Sequence, residues 1–74
     1  MSRTDFLILN CFSEQEFLSL DEIVRKTGIH LPLCRLRCDA LRKMGFVRIH
    51  KTPDEHIYIV AISADGKAAL AALN

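Results

Sequence analysis

Apolar residues recur along this chain in two rhythms, and the change between them falls at Gly45. Before that glycine the spacing is helical. Phe6, Leu7, Ile8, Leu9, Cys11 and Phe12 predict a first helix over about Thr4 to Phe12, capped by Thr4 and with Asp5 in the first turn, where a negative charge suits the helix dipole. Its apolar residues cover more than one stripe, so it needs cover on two sides, from its own core and from a second subunit. After the polar stretch Ser13 to Glu16, FLSL predicts one short strand. Ser19 and Glu22 then have capping-box spacing and open a second helix over about Leu20 to Thr27. Asp21 with Arg25 and Glu22 with Lys26 form acid-then-base pairs at i, i+4. Gly28 ends this helix, as glycine commonly does at the residue after one.

A third helix is predicted from about Leu31 to Met44, with Pro32 in its first turn, where a missing amide costs nothing, and Gly45 closing it. At 100° per residue Cys34, Cys38 and Leu41 share one face, and Arg35, Asp39, Arg42 and Lys43 the opposite one; Leu33, Leu36 and Ala40 widen the apolar arc on one flank. From Phe46 the period becomes that of a strand. FVRIHK and HIYIVAI, separated by the turn-like TPDE, predict a β-hairpin over 46–62. Ser63 then caps a short last helix in SADGKAALAALN. The fold class is therefore α+β, a single domain over 1–74 in the order helix, short strand, helix, helix, hairpin, helix.

Charge sharpens this picture. The net charge is only +1, but it is unevenly spread. Residues 1 to 24 carry one basic and five acidic groups, residues 25 to 51 carry eight basic and one acidic, and the remainder is weakly acidic. The middle third is a basic block, beyond what solubility alone requires, and a polyanionic partner is the expectation it raises. With 74 residues the chain has room for one small domain whose margin of stability alone is thin. Uncharged runs such as Phe6 to Ser13 are far short of the roughly 20 apolar residues that cross a bilayer, and no charged leader precedes a cleavage-like site, so no membrane role is expected and the cytoplasm is the expected compartment. Three cysteines, an odd number at low density, are most simply reduced thiols.

Two kinds of chemistry are set aside. His30, Cys34 and Cys38 form an i, i+4, i+8 row, but three residues along two turns of one helix do not readily surround a tetrahedral ion; the expectation is that both cysteines are small core residues, that His30 caps the helix, and that no metal or cofactor is bound. No nucleophile, base and orienting group converge, so the chain is not expected to be an enzyme.

Two helices joined by a tight glycine-containing turn, the second running straight into a β-hairpin, have the layout of a winged helix-turn-helix with a three-helix core, a hairpin wing and a short C-terminal helix. LSLDEIVRKTG, ALRKMGFV and ISADGKAAL resemble the shared pattern of MarR-like bacterial transcriptional regulators through Ile23, Thr27 and Gly28, then Leu41, Lys43, Gly45, Phe46 and Val47, then Ser63, Gly66 and Leu70. The resemblance covers nearly the whole chain, without the extra dimerisation helices usual in that family, so its sensing function is not carried over.

The resemblance implies that helix 31–44 enters the major groove and that the 46–62 hairpin is the wing. Groove-facing positions correspond to Leu31, Pro32, Leu33, Arg35, Leu36 and Asp39; of these only Arg35 is a good donor to guanine, while leucines can touch thymine methyls. Arg35, Leu36 and Asp39 are assigned to the bases, and Arg25, Lys26, Arg42, Lys43, Arg48 and Lys51 to the phosphates. The wing also carries His50 and His56, and Asp54 and Glu55 stand near its tip, where the resembling repressors often carry an arginine. Arg37 points nearer the apolar side, its stem snorkelling. The expected function is sequence-specific binding of double-stranded DNA by a small transcriptional regulator. AALAAL suits close helix packing and, with the broad apolar surface of the first helix, suggests a homodimer through the N- and C-terminal helices, as the resembling regulators associate, with Cys11 near the interface. The alternative is a winged-helix module that docks onto a protein through Leu31, Leu33 and Leu36.

Overall fold

The computed structural model describes residues 1–51, 53 and 58–73. Helix α1 spans Arg3–Asn10, its cap lying two residues earlier than the sequence suggested. Ser2, not Thr4, is the cap: its Oγ accepts the Asp5 amide at 3.2 Å and its own amide donates to the Asp5 carboxylate at 3.3 Å. The reason is the reciprocal box. Ser2 has a carboxylate three residues on, whereas Thr4 has Leu7 there and can satisfy only one free amide. At its other end α1 tightens into a 3₁₀ turn over Cys11–Ser13, with Phe12 off helical geometry at φ −91°, ψ 15° and buried.

Strand β1 (Phe17–Ser19) leads into α2 (Leu20–Thr27), where Ser19 and Glu22 make the expected capping box at 3.1 and 3.2 Å. The two side-chain pairs expected along α2 are not formed. The Glu22 carboxylate is turned back to the Ser19 amide, and neither Arg25 nor Lys26 joins an ion pair among the described residues. Gly28 ends α2 at φ 73°, a left-handed conformation that side chains resist. Thr27 braces the turn on both sides: its hydroxyl donates to the Ile23 carbonyl at 2.7 Å and accepts the Ile29 amide at 3.1 Å. Helix α3 follows at Leu31–Lys43. His30 occupies its cap position, but the imidazole makes no capping bond, contrary to expectation.

Strands β2 (Val47–Lys51) and β3 (Tyr58–Ile62) pair antiparallel, and β1 adds to the free edge of β3, giving the order β1-β3-β2. The expected connection at TPDE, with Asp54, Glu55 and His56, falls largely outside the described residues. Helix α4 spans Ala64–Leu73. Ser63 caps it, accepting the Gly66 amide at 3.0 Å while donating to the Gly45 carbonyl at 2.6 Å, so one hydroxyl fastens the last helix to the end of α3. Gly66 is required by contact: a Cβ there would lie 2.0 Å from the Phe46 carbonyl oxygen.

One core joins these elements. Ile8 and Leu9 of α1, Ile23 of α2, Cys34, Cys38 and Leu41 of α3, Val60 of β3 and Leu70 of α4 are all buried in it; each large aliphatic side chain so covered contributes about 1.5–3 kcal/mol against the entropy of ordering. Among the described residues no helix is long and apolar enough to cross a membrane.

Candidate nucleic-acid interface

Helix α3 is anchored on one side and open on the other. Cys34, Cys38 and Leu41 are fully buried at i, i+4, i+7, as the helical period requires. The two thiols are core groups. Burial pushes the Cys38 thiol up to about 12, and Cys34 is also raised by burial. Among the described residues no three metal-ligating side chains come together.

The inner flank holds a feature that sequence reasoning missed. Asp5 of α1 is only 1% exposed, and Arg37 of α3 reaches it with two nearly parallel bonds, Nε at 2.8 Å and an Nη at 2.7 Å. The Arg37 bonds, reinforced by the Ser2 cap, hold the Asp5 carboxyl below the usual carboxylate value against the opposing effect of burial. Arg37 is therefore not a loose snorkelling side chain. It clamps the first helix to the third and leaves the outward charge. The available signal was local: Ser2 and Asp5 repeat the spacing of Ser19 and Glu22, which marks Asp5 as structural, but the partner 32 residues away carries no local mark.

On the outward side the most exposed large apolar residue of α3 is Leu36, at 62%, with Leu31 and Leu33 near 45%. Leu31, Leu33 and Leu36 are thus surface residues, in contrast to the buried Leu41 of the same helix, and Arg35 flanks them. Arg35 leans toward the hairpin, its guanidinium carbon 5.5 Å from the centre of the Tyr58 ring, and Lys51 brings its ammonium to 5.6 Å from the same ring. Lys51 and Tyr58 are cross-strand partners, so the wing and α3 share one aromatic platform. Pro32, Arg35, Leu36, Asp39, Lys51 and Tyr58 line the shallow groove between them. Tyr58 was not singled out from sequence; the signal was its position opposite Lys51 once strand parity is counted.

The other assigned residues divide. Asp39 faces outward but is already engaged, accepting Nε and an Nη of Arg42 near 3 Å, with Lys43 3.6 Å away, and these cations lower its pKa. A base-facing and two phosphate-facing assignments are thereby one surface cluster, in which the acid cancels part of the positive charge. Arg48, an odd number of residues from Lys51, lies on the opposite face of the sheet, where its charge acts on Glu16 beside the Glu16–Lys67 ion pair. Arg25 and Lys26 are exposed in the last turn of α2, Lys26 close enough to influence the Cys11 thiol. The structure gathers Arg35, Lys51, Arg42, Lys43, Leu36 and Asp39 on one side and leaves Arg48 away from them.

A helix held through a left-handed glycine turn, presented outward with a hairpin at its flank, is the layout of a winged helix-turn-helix protein. The winged helix-turn-helix DNA-binding family matches residues 1–48, and the chain belongs to that family. Among curated proteins no sequence matches significantly. Solved structures agree on the fold. BpsR of Bordetella bronchiseptica, whose DNA binding is regulated by 6-hydroxynicotinic acid, superposes with a TM-score of 0.92 at 20% identity over 99% of this chain and 56% of its own. The transcriptional regulator BldR of Sulfolobus solfataricus gives 0.82 at 27% identity over 95% of this chain and 50% of its own. A mutant of MarR from E. coli gives 0.84 at 18% identity, over 95% and 52%. The MarR-like resemblance drawn from the motifs is thus borne out in the fold, and the chain spans about half the length of these structural relatives.

Proposed function

We propose that this chain is a non-enzymatic, sequence-specific double-stranded-DNA-binding regulator of transcription, acting in the cytoplasm. Helix α3 enters the major groove and the hairpin follows the adjoining backbone. The observation that carries the reading is the pairing of Arg35 and Lys51 around Tyr58. It puts one cation on the groove-entering helix and one on the wing within a single surface, matching a base edge and its neighbouring phosphate. Arg35 and Leu36 face bases, with Asp39 setting the orientation of Arg42; Lys51, Arg42 and Lys43 neutralise phosphates, and Arg25, Lys26 and Arg48 add charge at the margins. Exposed Leu7 on α1 and Leu73 on α4 support a homodimer through the terminal helices, which sets two α3 helices against a two-fold site. Fluorescence anisotropy with random genomic fragments at low salt tests the reading; binding is expected, and no binding at any salt concentration would remove it.

The exposure of Leu31, Leu33 and Leu36 favours one second reading, a protein-docking module. Capture from lysate with and without nuclease separates the two. A partner that survives nuclease and is lost with Leu36→Asp supports docking to protein; capture abolished by nuclease supports DNA.

A further inference from the structure

The outward ridge of α3 poses a problem for a duplex-binding helix. Its most exposed large side chain is a leucine, with two more half exposed nearby and proline at the second helical position. The usual hydrogen-bonding residues of base readout, Asn, Gln and a second Arg, are absent from Leu31, Pro32, Leu33 and Leu36, and the one acid, Asp39, is held by Arg42 and Lys43. Yet the ridge is bordered by cations, Arg35 and Lys51 on the wing flank and Arg42 and Lys43 toward the helix end. Apolar Leu36, with Leu33 beside it at i, i+3, inside a cationic frame calls for a polyanion with an apolar feature in reach. The major groove of DNA offers one such feature, the 5-methyl group of thymine. RNA lacks that methyl and closes its major groove to a helix.

We infer that this protein reads its site mainly through thymine methyl groups packed against Leu36 and its neighbouring leucines, with Arg35 supplying one guanine contact that sets the register. The inference rests on the duplex-binding reading above and specifies what that surface selects: a guanine next to thymines, discriminated by apolar contact rather than by a row of hydrogen bonds. Exchange of thymine for deoxyuridine removes the methyl while preserving pairing and charge. By the usual value for a buried methylene, each methyl removed from contact weakens binding about four-fold.

The test begins with selection of bound duplexes from a randomised pool by the full chain. The enriched duplexes are then remade with deoxyuridine in place of thymine, and affinities are measured for wild type and for Leu36→Ala, a change at an exposed position. Expected are enriched sites with thymines beside a guanine, a loss of about four-fold or more on the uracil duplex for wild type, and a smaller difference for Leu36→Ala with an unchanged salt dependence. Three results overturn the inference while duplex binding stands: equal affinity of wild type for both duplexes, a thymine preference that Leu36→Ala leaves intact, or salt-sensitive binding with no sequence enriched. Absence of binding to any duplex at low salt removes the duplex-binding reading as well.

Discussion

Arg35 and Arg37 stand two residues apart on α3, and the fold puts them to opposite uses. Arg37 turns inward and spends its charge on the buried Asp5 carboxylate, joining α1 to α3. Arg35 turns outward and lies over Tyr58, its guanidinium free of any carboxylate among the described residues. The same side chain thus serves as a clamp on one flank and as a contact group on the other. The difference is set by the neighbouring elements: one flank meets an acid whose position is fixed by the Ser2 cap, and the other meets the start of the central strand, which bears an aromatic ring. A basic block in a sequence is therefore not a uniform binding surface, since part of its charge is consumed in building the scaffold that presents the rest.

The largest effect that could break this contrast concerns the inner flank. Asp5→Ala leaves Arg37 without its partner and strips the cap of α1. Breaking a buried pair costs about 3–5 kcal/mol, reduced here because the Arg37 side chain is 31% exposed; a loss of roughly 2–3 kcal/mol is expected. That corresponds to a fall in melting temperature on the order of 10 °C by circular dichroism, with duplex affinity unchanged at a temperature where the variant is folded. Arg35→Ala should do the reverse, removing roughly 1–3 kcal/mol of sequence discrimination in competition binding with the melting temperature unmoved. If the two substitutions gave the same pattern, the division between flanks would fail.

Titration sharpens the contrast further. Because the Asp5 carboxyl in the folded protein lies below its ordinary value of about 3.9, its stabilising contribution is complete above that value and is lost as pH falls through the folded value. Denaturant midpoints measured from pH 6 down to pH 2 should drop more for wild type than for Asp5→Asn. The smallest effect is chemical. Burial raises the pKa of all three thiols, but Cys34 and Cys38 are fully buried whereas Cys11 is only partly so. A thiol reagent at pH 8 should modify Cys11 in the native protein and reach the other two only on unfolding, as mass spectrometry would report.

Much of the fold is legible in local patterns. Ser19 with Glu22, Gly28 and Gly45 punctuate α2 and α3, and the shift from a helical to an alternating period at Phe46 marks the hairpin, because capping, left-handed turns and strand parity are short-range effects. The start of α1 was misplaced since Thr4 and Ser2 are both acceptable caps and only the Ser2–Asp5 box decides between them. At the site, the burial of Cys34, Cys38 and Leu41 follows from helical spacing alone. What the spacing hid were contacts between distant segments. The 32-residue separation of Arg37 from Asp5 and the meeting of Arg35 with Tyr58 depend on how α1 and the wing pack on α3. The split of Arg48 from Lys51 was readable in principle, because residues three apart on a strand face opposite ways.

The central claim is that the outer flank of α3, together with the wing, grips a duplex electrostatically and orients it for readout. The salt dependence of duplex affinity tests this most directly. With Lys51, Arg42 and Lys43 neutralising phosphates and the marginal cations adding to them, a plot of log affinity against log salt should fall with a slope of roughly −3 or steeper, and it should flatten by about one when Lys51 is replaced by Gln. A slope near zero, or one that Lys51→Gln leaves unchanged, would contradict the assignment of that flank to DNA.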